Sequence, residues 1–111
     1  MSNETVIFVT TSSSAEAEQI ARALVAEKLA ACANIISSVH SIFRWQGQIC
    51  EEKEALMVIK STVANLHDII ARVKQLHSYD VPEVIALPIV AGSEDYLQWL
   101  HRETRKVNNT G

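Results

Sequence analysis

The chain has 111 residues, of which 48% are hydrophobic and 21% are charged, and its net charge is −3. This composition is typical of one globular domain, here residues 1–111, and excludes a largely disordered chain. The negative charge argues against a nucleic-acid partner, which needs a clustered positive surface to meet phosphates. The basic cluster Arg102, Arg105 and Lys106 is better explained as a favourable helix C-terminus.

The N-terminal segment has no basic residue before its apolar run, and no apolar run reaches the length of a membrane span. We therefore expect a soluble, cytoplasmic protein with no membrane partner. In a reducing compartment, Cys32 and Cys50 are expected to be free thiols and not a disulfide.

The first third of the chain predicts a strand followed by a helix. β-branched and aromatic residues dominate residues 5–11 (TVIFVTT), as in a strand that is buried on both faces. Ser13 and Glu16 have the spacing of a capping box, which satisfies free backbone N–H groups at the start of a helix. Apolar residues at helical spacing follow and end near Ala31.

A long β-hairpin is predicted for residues 33–61. Its turn lies at Gln46-Gly47, because glycine readily adopts the positive φ that a tight hairpin turn requires. Side chains alternate along a strand, so Ser41, Phe43 and Trp45 are expected to share one face. The second strand of the hairpin contains ALMVI, which is apolar throughout and indicates a central position in the sheet.

The second half of the chain predicts a helix, a strand and a short helix. Thr62 is placed to cap the first of these helices, and Pro82 prevents it from continuing. The strand EVIALPI (83–89) contains Pro88, which cannot donate a ladder hydrogen bond, so we expect this strand at a sheet edge. Ser93 is placed to cap the last helix.

The element order is β-α-β-β-α-β with a C-terminal helix, which is the α+β, ferredoxin-like split βαβ plan. Two right-handed crossovers would place both long helices on one face of the sheet. The first and third strands become central, and the second and fourth become edges. The last residues, KVNNTG (106–111), are expected to form a loose tail.

The predicted hairpin is too long for one chain to cover. Strands of about 13 residues span roughly 40 Å, whereas a helix of about 17 residues spans roughly 25 Å. The overhang carries Ile42, Phe43, Trp45 and Ile49, and an exposed apolar patch beside open edges favours a partner. We expect a closed homo-oligomer, for which a trimer would suit ring closure. A solvent-exposed flap is the alternative.

The histidines and cysteines do not have the spacing of a zinc motif, since CxxC, HxxxH and HExxH are absent. Cys32 is expected to be a buried thiol, with a soft-metal ligand as the alternative. His77 ends a predicted helix shortly before Tyr79, Asp80 and Glu83. These four side chains could line a polar cleft at a subunit boundary, or they could form a packed, hydrogen-bonded corner.

Catalytic motifs are also absent from the sequence. There is no GxSxG, and none of the three glycines lies in a Gly-rich phosphate loop. We therefore expect no catalytic residues, no enzymatic activity and no organic cofactor.

Five motifs together resemble the CutA1 family, also called divalent-cation tolerance proteins. They are EKLAACAN (27–34), SIFRWQGQI (41–49), HSYDVPEV (77–84), ALP (86–88) and YLQWL (96–100). The resemblance implies a ferredoxin-like homotrimer, similar to PII signalling proteins, in which edge strands and the hairpin join the subunits. It also implies a cytoplasmic role in tolerance to copper and other divalent cations, with binding of metal ions.

The resemblance also implies site residues. Cys32 and His77 occupy the positions expected of copper ligands. Trp45, Tyr79 and Glu83 match motif positions around an inter-subunit cleft. A thiol and an imidazole that lie too far apart within one chain would need subunits to share the site.

The chain departs from the family pattern at three positions. Ser78 stands where proline usually follows the histidine, and Phe43 stands where tyrosine is usual. Thr10 occupies a position at which some members carry a cysteine, which argues against a cysteine-rich copper site.

Two functions remain open from the sequence. The first is a trimeric metal-binding protein that acts in cation tolerance. The alternative is a PII-like regulatory module that binds a small anion or metabolite in the inter-subunit cleft, although only Arg44 and Lys53 lie near the hairpin tip. An acylphosphatase-like enzyme is disfavoured, because TTSSSAE has neither arginine nor glycine after the first strand.

Overall fold

The computed structural model describes residues 3–105. Seven elements follow one another, namely β1 (Glu4–Thr11), α1 (Ser14–Ala26), β2 (Cys32–Trp45), β3 (Gln48–Thr62), α2 (Val63–Leu76), β4 (Val84–Pro88) and α3 (Glu94–Arg102). This order confirms the predicted α+β, ferredoxin-like plan with a C-terminal helix. The segment that was expected to form a loose tail, 106–111, lies outside the described residues.

The four strands form one antiparallel sheet in the order β2-β3-β1-β4. The predicted positions are confirmed, because β1 and β3 are central and β2 and β4 are edges. Pro88 pairs with Thr5 at the end of β4, and an edge strand tolerates a residue that has no N–H to donate.

One face of the sheet carries the hydrophobic core. Ile7 and Met57 from the central strands are fully buried together with Leu24 of α1 and Ile69 of α2. Burying a side chain of this size stabilises the fold by about 1.5–3 kcal/mol. The helices therefore fix one face of the sheet and leave the opposite face, which we call the open face, for other contacts.

Helix α1 ends earlier than the sequence pattern indicated. Its last residue is Ala26 and not a residue near Ala31. Lys28 adopts a positive φ of 61°, and the Leu29 N–H donates to the Leu24 carbonyl at 2.9 Å. This geometry closes many helices, but glycine is the usual residue in the left-handed position. Because Lys28 stands in place of the usual glycine, the sequence did not indicate that the helix ends here.

Helix α2 begins where the sequence predicted, but its cap differs in detail. Thr62 is the N-cap residue, yet its side chain makes no capping bond to a backbone N–H. Its hydroxyl instead accepts a hydrogen bond of 2.9 Å from the amide of Asn65, which is fully buried. The polar side chain of Asn65 thus lies among the buried residues of α2, beside Ile69 and Val73.

A β-bulge in β2 determines which side chains share the open face. Ile36 pairs with Leu56 and Val39 pairs with Glu54, so three steps along β2 match two steps along β3. The extra residue reverses the alternation of side chains in the rest of β2. Beyond the bulge, odd-numbered residues of β2 therefore face the same side as the even-numbered residues of β3 that they oppose.

The hairpin extends beyond the helical layer, as predicted. β2 and β3 have 14 and 15 residues, whereas α1 and α2 have 13 and 14. At the usual rise per residue, such strands span roughly 45–50 Å and such helices roughly 20 Å. Ile42, Trp45 and Ile49 near the tip are 65%, 56% and 69% exposed. The described chain thus presents apolar surface at an open strand edge.

Replacing Gly47 with alanine should lower the free energy of unfolding by about 1 kcal/mol. Gly47 has a φ of 79°, and a Cβ there would meet nothing within 4 Å, so the effect comes from backbone conformation alone. Gln46, with a φ of 50°, provides the matched test. Gln46→Asn should raise the free energy of unfolding by up to about 0.5 kcal/mol, because asparagine tolerates this region better.

Urea unfolding at one fixed protein concentration measures both effects. An unchanged free energy of unfolding in Gly47→Ala would contradict the turn geometry.

Candidate functional site

The open face forms a cleft of about 860 Å³ beside the hairpin tip, which we call the hairpin cleft. One wall is the outer part of β2 and β3, and the other is the turn between α2 and β4. Pockets that bind small molecules usually measure about 300–1,000 Å³. The lining residues are Thr10, Ser12, Ser41, Ile42, Phe43, Trp45, Cys50, Glu52, Glu54, Tyr79, Asp80, Val81 and Glu83.

Glu16 fastens the turn that forms one wall of the cleft. One of its carboxylate oxygens accepts hydrogen bonds from the backbone N–H and the hydroxyl of Ser12, at 3.0 and 2.8 Å. The other accepts from the backbone N–H of Ser78 at 2.6 Å. Burial alone would raise the pKa of Glu16, but these hydrogen bonds outweigh it and lower the pKa to about 2.

The predicted capping box is therefore only half formed. The Ser13 hydroxyl accepts from the Glu16 N–H at 3.1 Å, as expected. The Glu16 carboxylate does not return to Ser13 and reaches Ser12 and Ser78 instead. Helix α1 and the turn after α2 are thereby joined through one side chain.

His77 is the C-cap residue of α2, and its side chain is fully buried. Its Nε2 lies 2.7 Å from the carbonyl oxygen of Thr10, and its Nδ1 accepts from the Tyr79 N–H at 3.0 Å. A carbonyl can only accept, so the Nε2 atom carries the proton in this arrangement. Both ring nitrogens are occupied within the chain, and a metal ion would have to displace one of these hydrogen bonds.

Tyr79 joins the turn to the sheet. Its hydroxyl donates to Glu54 at 2.7 Å, and its ring lies 4.7 Å from the imidazole of His77, centroid to centroid. Burial, the hydrogen bond to Glu54 and the negative charges of Glu54, Glu16 and Glu52 raise the pKa of Tyr79 well above its ordinary range. The hydroxyl therefore stays protonated and remains a hydrogen-bond donor.

Carboxylates determine the charge of the hairpin cleft. Glu52, Glu54, Asp80 and Glu83 line it, and no lysine, arginine or histidine is among the described residues that do so. The Thr10 hydroxyl donates to Glu83 at 3.4 Å. Within the described part of the chain, none of the four carboxylates forms a salt bridge.

Cys32 lies at the opposite end of the sheet from His77. It pairs with Lys60, whose amino nitrogen is 3.9 Å from the Cys32 sulfur. Thr10, which binds His77, pairs with Leu56. Lys60 and Leu56 are four residues apart on β3, which corresponds to roughly 13 Å. Among the described residues, no group of three or more histidine, cysteine or acidic side chains is arranged to hold a metal ion.

The structure brings some of the predicted site residues together and separates others. Trp45, Tyr79 and Glu83 all line the hairpin cleft. His77 lies behind that wall, and Cys32 is remote from it. The assignment of Cys32 and His77 as copper ligands stays a prediction.

The sequence motifs did not assign Glu52 and Glu54 to the cleft. They oppose Ser41 and Val39 across the hairpin. Strand alternation could have placed Glu52 and Glu54 on one face. That Phe43 and Trp45 lie on the same face as Glu52 and Glu54 depends on the bulge in β2. The sequence carries no evident signal for this bulge.

The sequence profile of the CutA1 divalent ion tolerance protein family matches residues 5–103. This chain belongs to the CutA1 family. A divalent-cation tolerance protein CutA from Thermus thermophilus is 46% identical over 101 residues, covering 91% of this chain and 98% of the relative. The chloroplastic protein CutA of Arabidopsis thaliana is 42% identical, over 90% of this chain and 55% of the relative.

Solved CutA1 structures share the fold. The crystal structure of CutA1 from Oryza sativa gives a TM-score of 0.93 at 39% identity, covering 96% of this chain and 97% of that chain. These findings confirm the family resemblance that the five sequence motifs indicated. No helix among the described residues of this CutA1 chain is long and apolar enough to cross a membrane.

The low pKa of Glu16 predicts a specific dependence of stability on pH. A carboxylate whose pKa falls from 4.5 to about 2 on folding stabilises the protein above pH 4.5. That stabilisation is lost as the pH falls from 4.5 through 2, because the unfolded state binds a proton in this window while the folded state does not. Glu16→Gln should lower the free energy of unfolding at pH 7 by on the order of 2 kcal/mol and flatten its dependence on pH in this window.

Glu18→Gln on the same helix is the control, because Glu18 is exposed and its one salt bridge within the described residues is with the exposed Arg22. Urea unfolding measured at several pH values compares the variants. If the free energy of unfolding depended on pH in the same way in Glu16→Gln and Glu18→Gln, the hydrogen bonds of Glu16 would not stabilise the turn.

Proposed function

We propose that this CutA1 chain acts in divalent-cation tolerance by binding a metal ion, with copper as the first candidate, and that it catalyses no reaction. The observation that carries the proposal is the family match over residues 5–103. Relatives from Thermus thermophilus and Escherichia coli are named as divalent-cation tolerance proteins. A tolerance role needs selective binding of the ion and does not by itself need turnover.

The proposed working form is a homotrimer joined by the edge strands and the hairpin. The exposed apolar side chains support this assembly. Ile42 and Ile49 lie at the hairpin tip, and Ile85 and Leu87 lie on edge strand β4. One copy can cover these side chains on the next by extending its sheet, which also closes the unpaired edges. Such head-to-tail contacts between unlike surfaces close into a ring when the rotation between neighbouring copies is a third of a turn.

Cys32 and His77 are the proposed copper ligands, and in this fold they would have to come from different subunits. Copper binds thiolate sulfur and imidazole nitrogen well. The separation of Cys32 and His77 along the sheet prevents them from meeting within one chain. The ammonium group of Lys60 next to the Cys32 sulfur would also have to move, because it repels an incoming cation.

A second candidate is a PII-like regulatory module that binds a small ligand in the hairpin cleft. The volume of the cleft favours this function, as does its position at the overhang that a neighbouring subunit would cover. The carboxylates that line the cleft disfavour an anionic ligand such as a nucleotide.

A cytoplasmic location is proposed from the two free thiols, which are typical of reducing compartments. The names of relatives vary, since one is described as chloroplastic and a structure from Archaeoglobus fulgidus as periplasmic. Cell fractionation with an antibody would reject the proposal if the protein appeared outside the cytoplasmic fraction.

Calorimetric titration of reduced, metal-free protein under anaerobic conditions tests copper binding. Cu(II) should bind saturably at about one ion per chain and at least about tenfold more tightly than Mg(II), because the proposed ligands are sulfur and nitrogen. Cys32→Ser should weaken Cu(II) binding by at least about tenfold. Cys50→Ser removes the other thiol and should leave binding unchanged.

His77→Gln removes the second proposed ligand and should weaken Cu(II) binding, whereas His40→Gln removes an exposed histidine on β2 and should leave binding unchanged. A thermal melt of each variant separates loss of folding from loss of binding. Weak binding shared equally by Cu(II), Zn(II) and Mg(II) would reject the copper site. Equal effects of Cys32→Ser and Cys50→Ser would reject its ligands.

A further inference from the structure

The hairpin cleft combines negative charge with aromatic surface. Its four carboxylates have no cationic partner among the described residues. Carboxylates crowded on the wall of a concave site create a negative potential that attracts cations and repels phosphates. The negative charge of the cleft therefore favours positively charged ligands over negatively charged ones, even before a ligand makes specific contacts.

Aromatic side chains supply the second feature. Trp45 and Phe43 project from β2 on the face that carries Cys50 and Glu52. In a single chain they are 56% and 39% exposed, and in the proposed trimer the cleft that they line lies at a subunit boundary. Tyr79 stands on the opposite wall, where its hydroxyl is held by Glu54. Aromatic faces attract cations through the ring quadrupole, and tryptophan does so best.

We propose that the hairpin cleft is a binding site for an organic ammonium ion. Trp45 and Phe43 would contact its alkyl groups, and Glu52 and Glu83 would balance its charge. This inference rests on the second candidate function, a small-ligand site in the hairpin cleft, and names the chemical class of that ligand. It does not depend on the proposed copper site, because Cys32 is remote from the cleft.

Size and hydration favour an organic cation over a metal ion. Divalent metal ions such as Mg²⁺ hold their water shell strongly and need several oxygen ligands in fixed geometry. No such group of side chains is assembled among the described residues. The cleft of about 860 Å³ is far larger than a single ion requires. An alkylammonium ion is weakly hydrated and is recognised by aromatic rings together with a carboxylate.

The test is a titration of the intact protein, in its native assembly, with choline as the probe. Saturation-transfer NMR on the choline methyl groups reports binding in low-salt buffer. Choline should bind saturably, and its uncharged isostere with carbon in place of nitrogen should bind at least about tenfold more weakly. Binding should also weaken as salt is added, because screening reduces the attraction.

Variants separate the charge of the cleft from the net charge of the protein. Glu83→Gln should weaken choline binding by about three- to tenfold. Glu103→Gln makes the same change in net charge at an exposed position at the end of α3 and should leave choline binding unchanged. Trp45→Leu should reduce the preference for choline over its isostere, whereas Trp45→Phe should retain it because a ring remains.

Three results would overturn the inference. Equal binding of choline and its isostere would mean simple apolar adsorption. Equal losses in Glu83→Gln and Glu103→Gln would mean non-specific attraction, and displacement of choline by adenosine monophosphate would mean that the cleft takes anions. Cys32→Ser should leave choline binding intact, so failure of the copper proposal and failure of this one are distinguishable.

Discussion

The length of the β2–β3 hairpin relative to the helices is the constraint on which the rest of this structure depends. Strands of 14 and 15 residues rise far beyond helices of 13 and 14 residues, because a strand advances more than twice as far per residue. The helices bury one face of the sheet where they reach. Beyond that point no helix covers the hairpin, and Ile42, Trp45 and Ile49 are more than half exposed in the described chain.

The hairpin cleft arises at the boundary between the covered and uncovered parts of the sheet. Glu16 at the start of α1 holds Ser78, and Tyr79 then reaches Glu54 on β3. Two hydrogen bonds thus tie the turn after α2 to both layers of the fold. Glu83 and Asp80 are presented to the cleft from a fixed turn, and preorganised side chains of this kind bind a ligand with a smaller loss of conformational entropy.

Much of the fold could be predicted from the sequence, because its signals are local. Alternation and β-branched residues marked the strands, Gly47 marked the hairpin turn, and Pro88 marked an edge strand. The end of α1 was missed because Lys28 occupies a left-handed position that glycine usually marks. The partners of Glu16 were missed because Ser78 lies 62 residues away along the chain, and no local pattern reports such a contact.

The candidate site was less predictable for a related reason. The motif match placed Trp45, Tyr79 and Glu83 around one cleft, but the assignment of Glu52 and Glu54 to that cleft required the strand register. That register depends on the bulge between Ile36 and Val39. The separation of Cys32 from His77 likewise depends on pairing across β3. Neither can be read from spacing along the chain.

The central claim is that copies of this chain cover one another's hairpins. Native mass spectrometry of the purified protein at micromolar concentration tests it most directly. The account predicts a single species at three times the chain mass of 12.3 kDa. A stable species at the mass of one chain, with the hairpin free in solution, would contradict it.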